Sequence, residues 1–134
     1  MRRPLMLLCA PLCALALAAC GSTVSTSNFK GTKQQAAQAL ANLQADATAG
    51  EQKKICADDL AASVVARLGG TKGCEAAIKA QLAEVDSLEL SVHSIKLTGP
   101  TSATAQVKGI YQGKGRFSTL ALVKEGKVWK VSGL

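Results

Sequence analysis

The chain has 134 residues, the length of one ordinary domain, and its 16 Lys and Arg outnumber its 9 Asp and Glu. A composition of 48% hydrophobic and 19% charged residues excludes a disordered chain, and the length excludes multidomain enzymes and large cofactor domains. Because aromatic residues make up only 3%, the core must be built from Ala, Leu, Val and Ile.

The first twenty residues are typical of an export signal. Arg2 and Arg3 supply a positive start, and an uncharged apolar stretch covers residues 5–19. That stretch is too short for a comfortable transmembrane helix, and Pro11 interrupts it. We therefore predict a secretory signal peptide over residues 1–19.

The end of this segment, Leu17-Ala18-Ala19-Cys20, resembles the bacterial lipobox. In lipoproteins with this motif a diacylglycerol is joined to the Cys thiol, and a signal peptidase then cuts before that residue. The thiolate is the nucleophile that accepts the lipid, which is why the position needs Cys. The alternative is an ordinary signal peptide followed by an incidental Cys. We predict lipidation at Cys20 and a protein anchored to the extracytoplasmic face of the cell membrane without spanning it, since two or more acyl chains suffice for stable anchoring.

The residues after Cys20 predict a tether and one folded domain. Residues 21–28 are rich in Ser and Thr, so 20–28 are expected to be the lipidated Cys and a flexible tether. The folded domain is expected over residues 29–134.

Helical spacing of apolar residues predicts three helical segments in the first half of this domain. Thr32 and Gln35 have the spacing of a capping box, and Gly50 is a natural C-terminal stop. A second segment runs from about residue 51 to the Gly69-Gly70 pair, and a third begins near Gly73.

From Leu88 onward the apolar period becomes two, which predicts strands. A slip in the alternation after Val92 predicts a β-bulge near His93 and Ser94. Turn residues then separate three further strands, with a basic hairpin tip over residues 113–116. The sequence therefore predicts an α+β fold, with N-terminal helices packed on a curved antiparallel sheet.

Two of the five cysteines are expected to form one disulfide. Cys9 and Cys13 leave with the signal peptide and Cys20 is lipidated, which leaves Cys56 and Cys74 as an even pair outside the cytoplasm. A redox pair and a metal site are the alternatives. The sequence has no C-x-x-C motif for a redox pair and no further metal ligands beside these two cysteines. We therefore expect no metal and no cofactor.

Candidates for catalysis are few. His93 is the single imidazole of the chain and is predicted to lie in a strand, so a catalytic triad cannot be built around it from the sequence. No phosphate-binding loop or zinc-ligand spacing is present. We interpret residues 113–116 as a basic turn rather than as a phosphate-binding loop.

The excess positive charge falls in the predicted sheet. Residues 20–87 are electrically balanced, whereas residues 88–134 carry a net charge of +5. The electrostatic field of this positive charge favours binding to anionic lipid headgroups or to anionic envelope polymers. The alternative is that these Lys residues protect strand edges and faces from aggregation. Nucleic acid is not an expected partner, because the aromatic residues are not interleaved with the basic ones.

Several stretches together resemble small secreted actinobacterial lipoproteins of the nuclear transport factor 2-like (cystatin-like) superfamily. The stretches follow the lipobox in chain order: Ala49-Gly50, residues 54–57 around Cys56, residues 73–77 around Cys74, and the Gly-Lys-x-Trp-Lys-Val ending at residues 126–131. The resemblance implies a cone-shaped α+β domain in which the sheet wraps the helices around a pocket. Enzymes of this superfamily use pocket Asp, His and Tyr residues, for which this chain offers His93 and Tyr111.

Two functions are consistent with this sequence. The first is a membrane-anchored binding or accessory domain that takes a small apolar ligand or an anionic envelope polymer. The alternative is a pocket enzyme of the ketosteroid-isomerase or polyketide-cyclase type, with His93 or Tyr111 handling protons.

Overall fold

Helices in the first half of the chain pack on one face of an antiparallel sheet built by the second half. This computed structural model describes residues 24–84, 89–111 and 113–133. Its elements in chain order are α1 (Gly31–Ala49), α2 (Gln52–Lys54), a π-helical turn (Ile55–Asp59), α3 (Ala62–Arg67), α4 (Gly70–Ala83), β1 (Glu89–Gly99), β2 (Ser102–Tyr111), β3 (Lys114–Glu125) and β4 (Val128–Gly133). The predicted α+β class is confirmed.

The sheet is a simple meander in the order β1-β2-β3-β4, and all three neighbouring pairs are antiparallel. The β1–β2 register shifts between Val92 and Ser94, which leaves His93 without a partner. This is the predicted β-bulge. It restores Ile95 to the core face of the sheet, where it is 5% exposed.

Helix α1 lies against the sheet through small side chains. Ala36, Ala37 and Leu40 are fully buried, and they share one core with Ala105 and Leu122 of the sheet. Alanine side chains let a helix backbone approach its neighbour closely. Gly50 ends α1 in the left-handed conformation (φ 71°), as predicted. The expected capping box is not formed, because α1 begins at Gly31 and Thr32 lies inside it.

The second predicted helical segment is interrupted close to Asp58 and Asp59, where the sequence also allows a cap and a continuation. After the π-helical turn, Leu60 is extended and forms a parallel bridge with Val131 of β4, and the Ala61 amide donates to the Val131 carbonyl at 2.8 Å. This pairing removes residues 60–61 from any helix and covers part of the outer edge of β4. The third helix starts at Gly70, three residues before the expected start.

Packing extends into the segment predicted as a tether. Val24, the single branched apolar residue among the Ser and Thr of that segment, is 5% exposed and belongs to the core. Burial of the Val24 side chain is favourable because it removes more apolar surface from water than burial of the neighbouring Ser or Thr side chains would. Val24, inside the segment expected to be a tether, therefore packs with the folded domain.

Cys56 of the π-helical turn and Cys74 of α4 form the predicted disulfide, with their Cα atoms 6.1 Å apart. Both residues are buried. The bond closes a loop over 18 positions of sequence, which corresponds to about 3 kcal/mol of stabilisation in the loop-entropy description.

We expect replacement of both cysteines by Ala to lower the free energy of unfolding by about 3 kcal/mol, because the unfolded chain regains the entropy of the open loop. Urea denaturation followed by circular dichroism measures this change. A reducing agent should destabilise the wild type and leave the double variant unaffected. Equal sensitivity of the two proteins to reduction would contradict the assignment.

Gly73 sits where a side chain has no room. A Cβ atom built at this position would overlap the Leu68 carbonyl oxygen, which belongs to the end of the preceding helix. We expect Gly73→Ala to lower the free energy of unfolding by about 1–3 kcal/mol through this overlap. An unobstructed helical glycine would gain about 1 kcal/mol from the same change. The control Ala76→Gly, at an exposed position of α4, should cost about 1 kcal/mol. A more stable Gly73→Ala protein would refute the close contact.

Candidate functional site

The predicted lipidation site lies outside the described residues. Cys20 and its lipobox precede Val24, where the description of the chain begins, so lipidation remains a prediction. No helix in the described part of the chain is both long and apolar enough to cross a bilayer.

The two predicted pocket residues do not come together in a described pocket. His93 is exposed at the β1 bulge, and its ring centroid lies 5.2 Å from that of Phe117. Phe117 pairs with Lys108 and is 71% exposed, so His93 is on the solvent-facing side of the sheet. Tyr111 is the last residue of β2, and its backbone pairs with Lys114 of β3. The Tyr111 side chain lies outside the described part of the chain.

A groove of about 380 Å³ runs between α1 and the start of β4 and is open to solvent. Its helix side presents the amides of Gln34, Gln35, Gln38 and Asn42, and its other side is formed by Lys127, Val128 and Trp129. Trp129 is 3% exposed, and its buried Nε1 has no hydrogen-bond partner. The lining therefore supplies amide donors and acceptors and one ammonium group, but no carboxylate.

A second open groove, of about 330 Å³, lies beside the disulfide. Its lining is mostly apolar and includes Cys56, Leu60 and Val65, with Lys130 at its margin. The Lys130 ammonium donates to the Ala57 carbonyl at 2.9 Å, which ties β4 to the π-helical turn. Of the sequence-predicted residues, Cys56 lines this groove, and His93 lines neither of the two.

The structure brings together two carboxyl groups that the sequence analysis did not identify. Asp59, at the end of the π-helical turn, is 4% exposed and hydrogen-bonds to Asp46 of α1. Lys54 faces Asp46 with its Nζ 3.7 Å from Oδ1. The Oδ2 atom of Asp59 is buried without a partner. A signal was present in the sequence, because Asp58-Asp59 directly precedes the apolar Leu60-Ala61 pair.

Burial is the largest cause of an altered acidity at Asp59. Together with the charge of Asp46, the hydrogen bond to it and the charge of Asp58, burial raises the pKa of Asp59 from 3.8 to about 7, against the opposing effect of Lys130. The neutral acid can donate the hydrogen bond that joins the two carboxyl groups. Because Asp59 lines neither groove, the pair has no route to a substrate there.

The described residues contain no group of side chains that could hold a metal ion. Across residues 24–84, 89–111 and 113–133, no three His, Cys, Asp or Glu side chains are grouped so that they could hold a metal ion.

Comparisons with known proteins give a similarity in fold only. No protein-family model matches the chain, and no curated protein sequence does either. One similar solved structure is a Campylobacter jejuni protein described as an NTF2-like transpeptidase, at 2.00 Å resolution. It is 15% identical, has a TM-score of 0.45, and is matched over 68% of this chain and 91% of its own. At this level of similarity we base no argument on its described activity.

The raised pKa of Asp59 predicts how stability depends on pH. The folded state binds this proton more tightly than the unfolded state, so the stabilisation is complete below about pH 4 and is lost as the pH rises toward 7. Between pH 5 and pH 8 the unfolding free energy of the wild type should fall. We expect this fall to be smaller in Asp59→Asn by on the order of 2 kcal/mol. Urea denaturation at both pH values measures it.

The exposed neighbour Asp58 provides the matched control. Asp58→Asn also removes one carboxylate from the same turn, but it should retain most of the pH dependence of the wild type. An Asp59→Asn protein with an unchanged pH dependence would show that Asp59 ionises normally in the folded state.

Proposed function

We propose that this chain is a lipid-anchored extracytoplasmic protein whose folded domain acts by binding rather than by catalysis. The observation that carries the proposal is Leu17-Ala18-Ala19-Cys20, which follows a positive start and an uncharged apolar stretch. In this proposal residues 1–19 are removed, Cys20 carries the lipid, and the domain is held on the outer face of the cell membrane.

The disulfide supports an extracytoplasmic location. Disulfides form and persist in oxidising compartments and are rare in the cytosol. Cys56 and Cys74 are both buried and paired, so this bond is part of the core. A core that depends on such a bond suits an exported protein.

Three features support binding over catalysis. His93, the only imidazole, faces solvent beside Phe117 instead of lining a groove. The buried acid pair lines neither of these two grooves. The apolar groove beside the disulfide offers a surface for a small apolar ligand.

The test of the anchor is Cys20→Ser. Serine preserves the size of the side chain but is a poor nucleophile at neutral pH, so lipid transfer should fail. We expect the protein to move from the detergent phase to the aqueous phase in a detergent partition, or to accumulate as an uncleaved precursor. Intact-mass measurement of the wild type should show a diacylglyceryl Cys20 at the mature N-terminus.

A mature wild-type chain that begins after Cys20, or carries an unmodified Cys20, would overturn the anchor. The binding role has a separate test, which is a screen of isomerase, cyclase and hydrolase substrates. Turnover that disappears in His93→Ala would replace the binding role with catalysis.

A further inference from the structure

The face of the sheet that points away from the helices is open to solvent. On β2 and β3 the buried Ala105, Val107 and Leu120 mark the helix-facing side. Because successive side chains of a strand point to opposite faces, the residues that alternate with them share the other side. The register groups these residues in three cross-strand pairs, which are Lys108–Phe117, Gln106–Thr119 and Thr104–Ala121. We call this surface the open face, defined by these six residues and the adjoining solvent-facing residues of β1 between positions 91 and 96.

One end of the open face carries an exposed aromatic ring. Phe117 is 71% exposed, which is unusual for a large apolar side chain. The Lys108 ammonium lies 5.7 Å from the centroid of the Phe117 ring. The His93 ring, from β1, packs against the same ring with the two centroids 5.2 Å apart. Phe117 is therefore supported from the neighbouring strands while most of its surface stays in water.

Next to this ring the open face presents small hydrogen-bonding groups. Gln106 and Thr119 are exposed, and Thr104 is half-buried. Amide and hydroxyl side chains both donate and accept hydrogen bonds. Neighbouring pairs on one face lie about 7 Å apart along the strands, since each residue rises about 3.4 Å. The ring and the polar pairs therefore form one continuous strip about 14 Å long.

The strip is also basic. Lys108 lies beside the ring, and Lys96 of β1 pairs with Thr104 at the other end of the strip. No Asp or Glu occurs in the sequence between Glu89 and Glu125. Glu89 pairs with Ile110, one step beyond the Lys108–Phe117 pair, so it marks the limit of the basic area.

We propose that the open face binds a chain of an acidic polysaccharide, with one sugar ring stacked on Phe117 and polymer carboxylates against Lys96 and Lys108. A sugar ring has a C–H face that can cover an aromatic ring, and hydroxyl groups that can bond to Gln106 and Thr119. A flat, open strip suits an extended polymer, whereas small ligands are held in concave sites. The inference rests on the proposed extracytoplasmic location, because only there does the domain meet envelope polysaccharides.

Other occupants match fewer of these features. A polyphosphate would neutralise the two ammonium groups but leave the Phe117 ring in water. A bilayer interface would accept the ring, but it would receive a single apolar side chain from an otherwise polar strip. A second copy that packed with the same face would bring the lysines of both copies together.

The experiment uses the mature full-length chain in phosphatidylcholine vesicles, whose surface carries no net charge. Fluorescein-labelled polygalacturonate is mixed with the vesicles, and the polymer that sediments with them is measured. We expect saturable binding that weakens at about 0.5 M salt, because salt screens exposed charges. Dextran, a neutral polysaccharide, should bind about tenfold more weakly because it has no carboxylates.

Two sets of variants test the residues of the strip. Phe117→Ser should weaken polygalacturonate binding about tenfold, and Phe117→Tyr should retain it because the ring is kept. The double variant Lys96→Gln and Lys108→Gln should also weaken binding about tenfold, and its remaining binding should depend less on salt.

Matched controls remove similar groups from other surfaces. Leu97→Ser removes a partly exposed apolar side chain from β1 beside Ala103, on the helix-facing side. The double variant Lys33→Gln and Lys72→Gln removes two exposed charges from α1 and α4. Binding of polygalacturonate should change by less than about twofold in both, since neither touches the open face.

Four results would overturn the proposal. Equal affinity for polyphosphate would show a general anion surface, and unchanged binding by Phe117→Ser would remove the ring from the site. Binding that falls as protein density in the vesicles rises would assign the face to a second copy. Attachment of the Cys20→Ser chain to phosphatidylglycerol vesicles, abolished by Phe117→Ser, would assign it to the bilayer.

Intact mass measured before reconstitution separates this inference from the proposed anchor. A mature chain without lipid would refute the anchor. The same polymers would then be tested with that chain in free solution by analytical ultracentrifugation, and no binding of polygalacturonate there would refute the open-face site as well.

Discussion

The pairing of residues 60–61 with β4, through the hydrogen bond from the Ala61 amide to the Val131 carbonyl, joins the chain between the helices to the edge of the sheet. It fixes residues 60–61 as an extended segment along β4, which forces the helix before them to end. The π-helical turn absorbs that change of direction. Cys56 is bonded to Cys74 of α4 and Asp59 hydrogen-bonds to Asp46 of α1, so the disulfide and the acid pair both lie in the turn that precedes this backbone pairing.

The core is built from small side chains, and this makes the cross-link important. Its fully buried residues include Ala36, Ala37 and Ala105, each of which buries far less apolar surface than Leu or Phe would. Domains of this size have little free energy to spare. The disulfide adds to the free energy of unfolding by restricting the unfolded chain. The buried Asp59, whose Oδ2 atom has no hydrogen-bond partner, lowers the free energy of unfolding as the pH rises. Stability should therefore respond to both redox state and pH.

The features that the sequence predicted are those that short-range rules control. The strands after residue 88, the bulge at His93 and the stop at Gly50 each depend on a few neighbouring residues, and the structure has β1 from Glu89, the bulge and the stop. The disulfide followed from counting cysteines. The features that it did not predict depend on distant partners. Val24 stands among Ser and Thr residues that are typical of a tether, and its burial shows only in the packed core. Residues 60–61 have helical spacing in the sequence, and only their pairing with β4 makes them extended.

The same distinction applies to the candidate sites. His93 attracted attention as the only imidazole, but its role depends on which face the bulge turns it toward, and that face is exposed. The sequence pattern does not distinguish Asp59 from other acids, and only its burial and the approach of Asp46 from α1 in the folded chain make it unusual.

The two halves of the domain therefore differ in what they can do. The helical half carries balanced charge and buries its one abnormal carboxyl group, whereas the sheet half is basic and exposes Phe117 at the end of a hairpin.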